Sequence, residues 1–402
     1  MLSNEATRAD TPAFTSVVPG LSVLRDVFVN LYYAFPQDQP QGPWVLIDAG
    51  LPGSADKIKQ HAEELFGKIP PAAILLTHGH FDHAGALHGL LEAWPDVQVY
   101  AHPLEMPYLT GLSSYPPPDP TVGRGMMAYM SFVYPKKPYD FGSRVQTLPA
   151  DGSVPGLPGW RWVHTPGHSF GHVSFFRQHD KVLVAGDAFT TVKQESGSAV
   201  YYQKQEVHGP PAYFTPDWDS ARASMELLTR MEPEVAATGH GIPMHGAELR
   251  RQLNDFVPRF DTLARPKKGR YVHQPATADG GGVTSVPPPV VNPWVKGLAV
   301  AGLAVGLLAL VTGGKKKNRS GRARKSASAH STGGTAGSGE GQPEGNYRAW
   351  YRDSPAEYQA DRHASYEPHS SQQRQHNQDF GQARGDHRYS EQQGRRIETQ
   401  YP

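Results

Sequence analysis

The chain has 402 residues, enough for two or three domains, yet residues 313–402 contain one branched aliphatic side chain, Ile397, and cannot bury the apolar surface that folding requires. The net charge of +1 divides into +5 over 313–402 and −4 over the rest, so the part able to fold is acidic, which speaks against a nucleic-acid-binding core. The absence of cysteine excludes disulfides, thiolate nucleophiles and every Cys-ligated metal site.

Along the chain, the N-terminal residues show neither a basic start nor an apolar run, so no signal peptide is expected. Leu21–Phe35, rich in Val, Tyr and Phe, predicts strands, and Trp44–Ile47 a short buried strand ending at Asp48. Ser54 is placed to cap a helix reaching Phe66, with Ile58, Ala62 and Leu65 on one face. Ala72–Thr77 predicts a strand, Ala84–Trp94 a helix, and Val97–Tyr100 a strand. From Pro103 to Tyr139 the chain is irregular, with three consecutive prolines and several aromatics, the pattern of a functional loop or lid. Strands are expected again at 160–164, 173–176, 182–185 and 235–238, and helices at 220–231 (capped by Asp217) and 246–263. The fold class expected is α+β, two sheets packed as a sandwich with helices outside.

The chain divides into four regions: a folded domain over 1–265, a Pro/Gly-rich linker over 266–293, an apolar segment over 294–312, and a tail over 313–402 that is basic and then rich in Gln, Ser and Tyr. The segment Gly297–Val311 has no polar side chain, and seven basic residues stand beyond it at Lys315–Lys325. It is read as a membrane-associated or transmembrane helix attached to a cytoplasmic domain, with an oligomerisation helix as the alternative.

Histidine is in excess, and 13 of 19 lie in 1–265. The segment Thr77–Gly85, THGHFDHAG, sets His78, His80, Asp82 and His83 within six residues at the end of an apolar strand. A loop there can turn His78 and His80 to one point and Asp82 and His83 to another, so that two metals share the cluster. Three further segments set a ligand type at a strand end: His164–His168 (HTPGH), Asp187 in AGD, and His240 in TGHG. Asp48 and Thr77 are expected to orient the ligand imidazoles. His102, His164, His172 and His245 are candidates for a supporting or substrate role, whereas His61, His88, His179 and His208 lack that context.

The set HxHxDH, TPGH, AGD and TGHG resembles the metallo-β-lactamase-fold hydrolase superfamily, over about residues 14–260. The resemblance implies the αββα sandwich, with the site at one edge between the sheets. It implies that His78, His80 and His168 hold one metal, that Asp82, His83 and His240 hold a second, and that Asp187 bridges both. The cofactor expected is a pair of Zn²⁺ ions, with iron or manganese as alternatives. A hydroxide held by the two metals would then cleave a small ester, lactone or thioester, with Asp82 as the catalytic proton acceptor. The partner expected is a small-molecule substrate and no nucleic acid, with membrane contact through 294–312 and a homo-oligomer as further expectations.

Within that superfamily, the absent cysteine argues against thiolate-using β-lactamases, His80 against the flavodiiron type, and Thr190 against lactonases with a tyrosine three residues after the bridging aspartate. About 25 residues after the last ligand segment leave little room for the helical domain of glyoxalase II-like thioesterases. The alternatives to hydrolysis are a persulfide-dioxygenase-like oxidoreductase with one iron, and a membrane-tethered scaffold.

Overall fold

The computed structural model describes residues 14–37, 42–123 and 125–290, so the apolar segment 294–312 and the tail 313–402 lie outside the described residues. Among the described residues no helix is long and apolar enough to cross a membrane.

Two sheets form the centre. The first runs in the order β1 (Phe14–Val18), β2 (Leu21–Asp26), β3 (Val29–Ala34), β4 (Val45–Ile47), β5 (Ala73–Leu75), β6 (Val99–Ala101), β7 (Val145–Thr147). It is antiparallel up to β4 and parallel from β4 onward. The second contains β8 (Trp160–His164), β9 (Val173–Arg177), β10 (Val182–Gly186), β11 (Val235–Thr238) and β12 (Met244–His245), and these are also neighbours in that order.

The central strands β4, β5, β10 and β11 are short and almost wholly apolar because both their faces are buried. Alternate residues go to different layers, as the two-residue period of a strand requires. Val45 and Ile47, Ala73 and Leu75, Val182 and Val184, Val235 and Ala237 all enter one cluster between the sheets. Their neighbours Leu46 and Ile74 face outward onto α1 (Ala55–Phe66) and α2 (Leu87–Ala93). On the other side Leu183, Ala185 and Ala236 face α6 (Trp218–Arg230) and α7 (Gly246–Phe256). Three apolar layers therefore separate helix, sheet, sheet and helix.

Strand direction places the site. β4 and β5 are parallel, β10 and β11 are parallel, and β8 shares their direction through antiparallel β9. The sheets are stitched at the carboxyl ends of these strands: the amide of Val173 donates to Thr77 O at 2.9 Å, that of Asn30 to Gly239 O at 2.7 Å, and the Tyr32 hydroxyl to Thr238 O at 2.6 Å.

Several expectations are corrected. Ser54 precedes α1 but its side chain makes no cap hydrogen bond. The helix expected over 246–263 breaks after Phe256 into a 3₁₀ turn, Val257–Arg259, and a short α8, Phe260–Leu263. Pro258, inside that stretch, can donate no helical hydrogen bond and its ring clashes with the preceding turn. The irregular insertion contains two short helices, α3 (Met106–Leu109) and α4 (Met126–Met130).

The largest correction concerns 266–293, read as a linker. Up to residue 290 it is packed against the domain. Tyr271, Val272 and Ala276 are buried, and Thr277–Asp279 pairs with Gly282–Ser285 as a hairpin, β13–β14. The Tyr271 hydroxyl donates to Pro117 O at 2.6 Å, the amide of Arg270 to the Asp119 carboxylate, and the amide of Val283 to Ser113 Oγ at 3.1 Å. The glycines that resemble a flexible linker form a hairpin turn, and the strap holds down the Pro103–Tyr139 insertion.

Candidate metal centre

Every segment singled out by its histidines or aspartates leaves a strand at the stitched edge. Asp48 comes directly after β4 in a left-handed conformation, φ +64°, which turns its carboxylate across to the next strand. There it accepts from the amide of Thr77 at 2.8 Å, from the Thr77 hydroxyl at 2.9 Å and from His83 Nδ1 at 2.8 Å. The Thr77 hydroxyl donates its hydrogen bond to Asp48, so it accepts from His78 Nδ1 at 3.1 Å. His240 Nδ1 donates to Phe28 O at 2.8 Å. Three imidazoles thus have their outer nitrogen fixed as a donor, and the lone pair of each Nε2 faces inward.

Those inward atoms converge. The ligating atoms of His78, His80 and His168 lie within 4.8 Å of one another, and so do those of Asp82, His83 and His240. His80 Nδ1 is 3.0 Å from His168 Nε2, and Asp82 Oδ2 is 3.6 Å from His240 Nε2. Asp187 reaches both groups: its Oδ2 is 3.4 Å from His168 Nε2 and 3.1 Å from His240 Nε2, and its Oδ1 is 3.7 Å from His83 Nε2. All seven side chains are buried. His78 Nε2, His83 Nε2 and Asp187 Oδ1 have no hydrogen-bond partner. Buried polar atoms without partners are costly, and several aimed at one space are the mark of a cation site. The donors, five imidazoles and two carboxylates, suit a borderline transition cation.

The electrostatics agree. Burial, reinforced by neighbouring imidazoles, pushes His78 and His168 far below the usual range and His80 down to about 3, so these three are neutral and ready to ligate. For His83 burial is outweighed by Asp48 and Asp187, and for His240 by Asp187, so both are pushed up. Burial would raise Asp187, but the neighbouring His240 and His83 overcome it and hold the carboxyl well below its ordinary value. Burial raises the Asp82 carboxyl above its ordinary value.

Two close approaches require glycine. Gly186, at φ +54°, would set a side chain 2.6 Å from His172 Nε2, and any Cβ on Gly239 would collide with Asp187 Oδ1.

Further side chains support the cluster from behind. His172, one of four supporting candidates, accepts from the amide of Asp187 at 2.9 Å. Its Nδ1 is 2.8 Å from Thr165 Oγ1, which is 3.0 Å from Ser174 Oγ, itself a donor to Ala185 O. Burial holds His172 at about 3, so it stays a neutral acceptor. His102 and His164 stack on each other at 4.1 Å, and His245 is exposed at the start of α7. Thr190 turns its hydroxyl to Val192 O and Gly209 O.

Glu105 gave no signal at all. It is fully buried in the insertion and accepts from the amide of Gly79 at 3.0 Å, the Ser169 hydroxyl at 2.7 Å, the amide of Gly171 at 2.9 Å, and the Tyr115 hydroxyl. It therefore clamps the loop carrying His78 and His80 to the loop carrying His168. Phe214 was also missed; its ring stacks on His80 at 4.6 Å.

A sequence profile of the metallo-beta-lactamase superfamily matches residues 25–240, which end on the last of the seven side chains. The chain belongs to the metallo-β-lactamase superfamily. It is 49% identical over 247 residues to the "Probable metallo-hydrolase YflN" of Bacillus subtilis, a match covering 61% of this chain and 92% of that protein. It is 27% identical over 146 residues to the hydroxyacylglutathione hydrolase of Cronobacter sakazakii, covering 36% of this chain and 42% of that protein. Among solved structures it resembles TTHA1623 in a di-iron-bound form, at 28% identity and a TM-score of 0.38, covering 56% of this chain and 92% of that one. As a member of the metallo-β-lactamase superfamily, the chain sets His78 Nε2, His83 Nε2 and Asp187 Oδ1, buried and without hydrogen-bond partners, where its segments leave the two sheets.

Proposed function

We propose that this chain is a metal-dependent hydrolase of a small carboxylic ester, thioester or lactone. In this reading His78, His80 and His168 hold one divalent cation, Asp82, His83 and His240 a second, and Asp187 both. The observation that carries it is the set of inward Nε2 lone pairs, each fixed by an outward donor, around a carboxylate with an unpartnered oxygen. Bound there, two zinc ions would acidify a water and polarise the scissile carbonyl. Asp82 takes the proton that the attacking water gives up. The oxygen of that water joins the acyl carbon, the bond from that carbon to the alcohol or thiol breaks, and the proton leaves on the departing group. Asp48, through Thr77 and His83, keeps the imidazoles in the tautomer that ligates. The likeness to a hydroxyacylglutathione hydrolase, though it spans less than half of that protein, supports thioesters within the substrate class.

The test is elemental analysis of the full chain together with turnover of a chromogenic ester and an acyl thioester. About two zinc ions per chain and turnover abolished by a chelator are expected, and His80→Ala should remove most of the activity. One iron per chain without ester or thioester turnover overturns the proposal in favour of oxidoreduction. Membrane contact through 294–312 is a separate proposal, tested by co-sedimentation of the full chain and of residues 1–290 with lipid vesicles.

A further inference from the structure

We propose that the substrate of this site carries an extended apolar acyl chain, which lies along Phe81, Tyr134 and Phe214 and emerges over the outward face of residues 126–133. This rests on the hydrolase reading and names its substrate class.

The first observation is an aromatic wall that begins at the metal ligands. Phe214 stacks on His80 at 4.6 Å, Tyr134 lies 5.9 Å from Phe214, and Phe81, between His80 and Asp82, lies 5.6 Å from Tyr134. The Tyr134 hydroxyl is spent on Met127 O at 3.3 Å, so the ring presents carbon. No charged side chain belongs to the wall. Phe214 is buried while Phe81 and Tyr134 are half-buried, and an alkyl chain lying on the latter two would remove the rest of their apolar surface from water.

The second observation is the surface beyond the wall. Met126, Tyr129, Met130, Phe132 and Val133 are between 41% and 70% exposed, while the small Ala128 and Ser131 point inward. The segment is fastened by its backbone, with the amide of Met127 donating to Glu195 O at 3.1 Å. Ala128, Ser131 and Met127 hold the segment to the core, and the large side chains turned outward from it serve no core. Five of them in eight residues form a patch of the kind that marks a binding surface. Tyr134 follows this segment directly and packs on both Phe81 and Phe214, so it stands between the patch and the wall. Methionine and aromatic side chains suit an unbranched chain of variable length.

Titration of the zinc-loaded full chain with acetate, butyrate, octanoate and dodecanoate, the acyl products of such hydrolysis, reads the inference by calorimetry. Affinity should rise about two- to fourfold per methylene, the upper value being that of a fully buried one. In Tyr134→Ala the ratio of dodecanoate to acetate affinity should fall about tenfold or more. In Phe132→Ser, a change at an exposed position, affinity should stop rising at a shorter chain. A flat series in the wild type, or an unchanged slope in both variants, overturns the inference. So does a dimer that Phe132→Ser dissociates while the series is flat, because the patch then belongs to self-association. Ester turnover with a flat series refutes the apolar subsite alone, whereas a rising series without turnover supports the subsite and refutes the hydrolase reading.

Discussion

Replacing Glu105 by glutamine leaves the shape of the side chain unchanged but converts one of two acceptor oxygens into a donor. Four donors surround the carboxylate: the Gly79 and Gly171 amides, and the Ser169 and Tyr115 hydroxyls. Whichever way the amide turns, it faces one pair of them with N–H against N–H or O–H. Tyr115 also accepts from the Gly79 amide at 2.9 Å, so part of the loss on that side is recovered. One buried donor without an acceptor costs about 1–3 kcal/mol. A cost of about 2 kcal/mol should lower the Tm by about 4–8 °C in a domain of this size. The same strain acts on metal binding unequally. Glu105 joins the loop of His78 and His80 to that of His168, and those three form one group, whereas Asp82, His83 and His240 receive nothing from it directly. Stepwise metal titration against a chromophoric chelator should therefore show one cation weakened, about 10- to 100-fold, which is the usual size of an effect from behind the ligands. Glu105→Ala, which leaves all four donors without their carboxylate, should be far worse. Equal weakening of both cations would reduce Glu105 to a general stability role, and unchanged affinity for both would refute the clamp.

Asp187→Ala should lower both cation affinities together, because its oxygens face both groups; elemental analysis showing the loss of only one would refute the bridging role. Truncation after residue 265 should lower the Tm markedly, since it removes buried Tyr271, Val272 and Ala276 and the hydrogen bonds to Pro117 and Asp119, whereas truncation after residue 290 should leave it unchanged. Metal affinity should fall as the pH falls: His83 and His240 are pushed up in the metal-free protein, so protons compete with the cation from a higher pH than for ordinary imidazoles, and each must leave before ligation. Chelator competition between pH 8 and pH 6 showing no loss of affinity would contradict this.

The His and Asp segments that converge were legible because local sequence builds them. An apolar strand followed by closely spaced histidines or a Gly-flanked aspartate is a short-range pattern, and a strand end in a tight turn has few ways to aim its side chain. The same holds for the sheets, whose alternation of layers is written into Val45–Ile47 and Val182–Ala185. Asp48 and Thr77 were legible for the same reason, standing one and two residues beyond a strand. Tertiary structure alone decided the rest. Glu105 meets Gly79 and Gly171 across 26 and 66 residues, and nothing in a Pro-rich insertion distinguishes a buried glutamate from a solvated one. Phe214 becomes part of the site only because its 3₁₀ turn, Ala212–Phe214, is brought against His80. Residues 266–290 have the composition of a linker, and they become structure because the Tyr271 hydroxyl and the Arg270 amide find acceptors in a loop about 150 residues earlier. Local sequence sets which conformations a segment can adopt. Burial among distant partners, which composition does not encode, decides which side chains become part of the site.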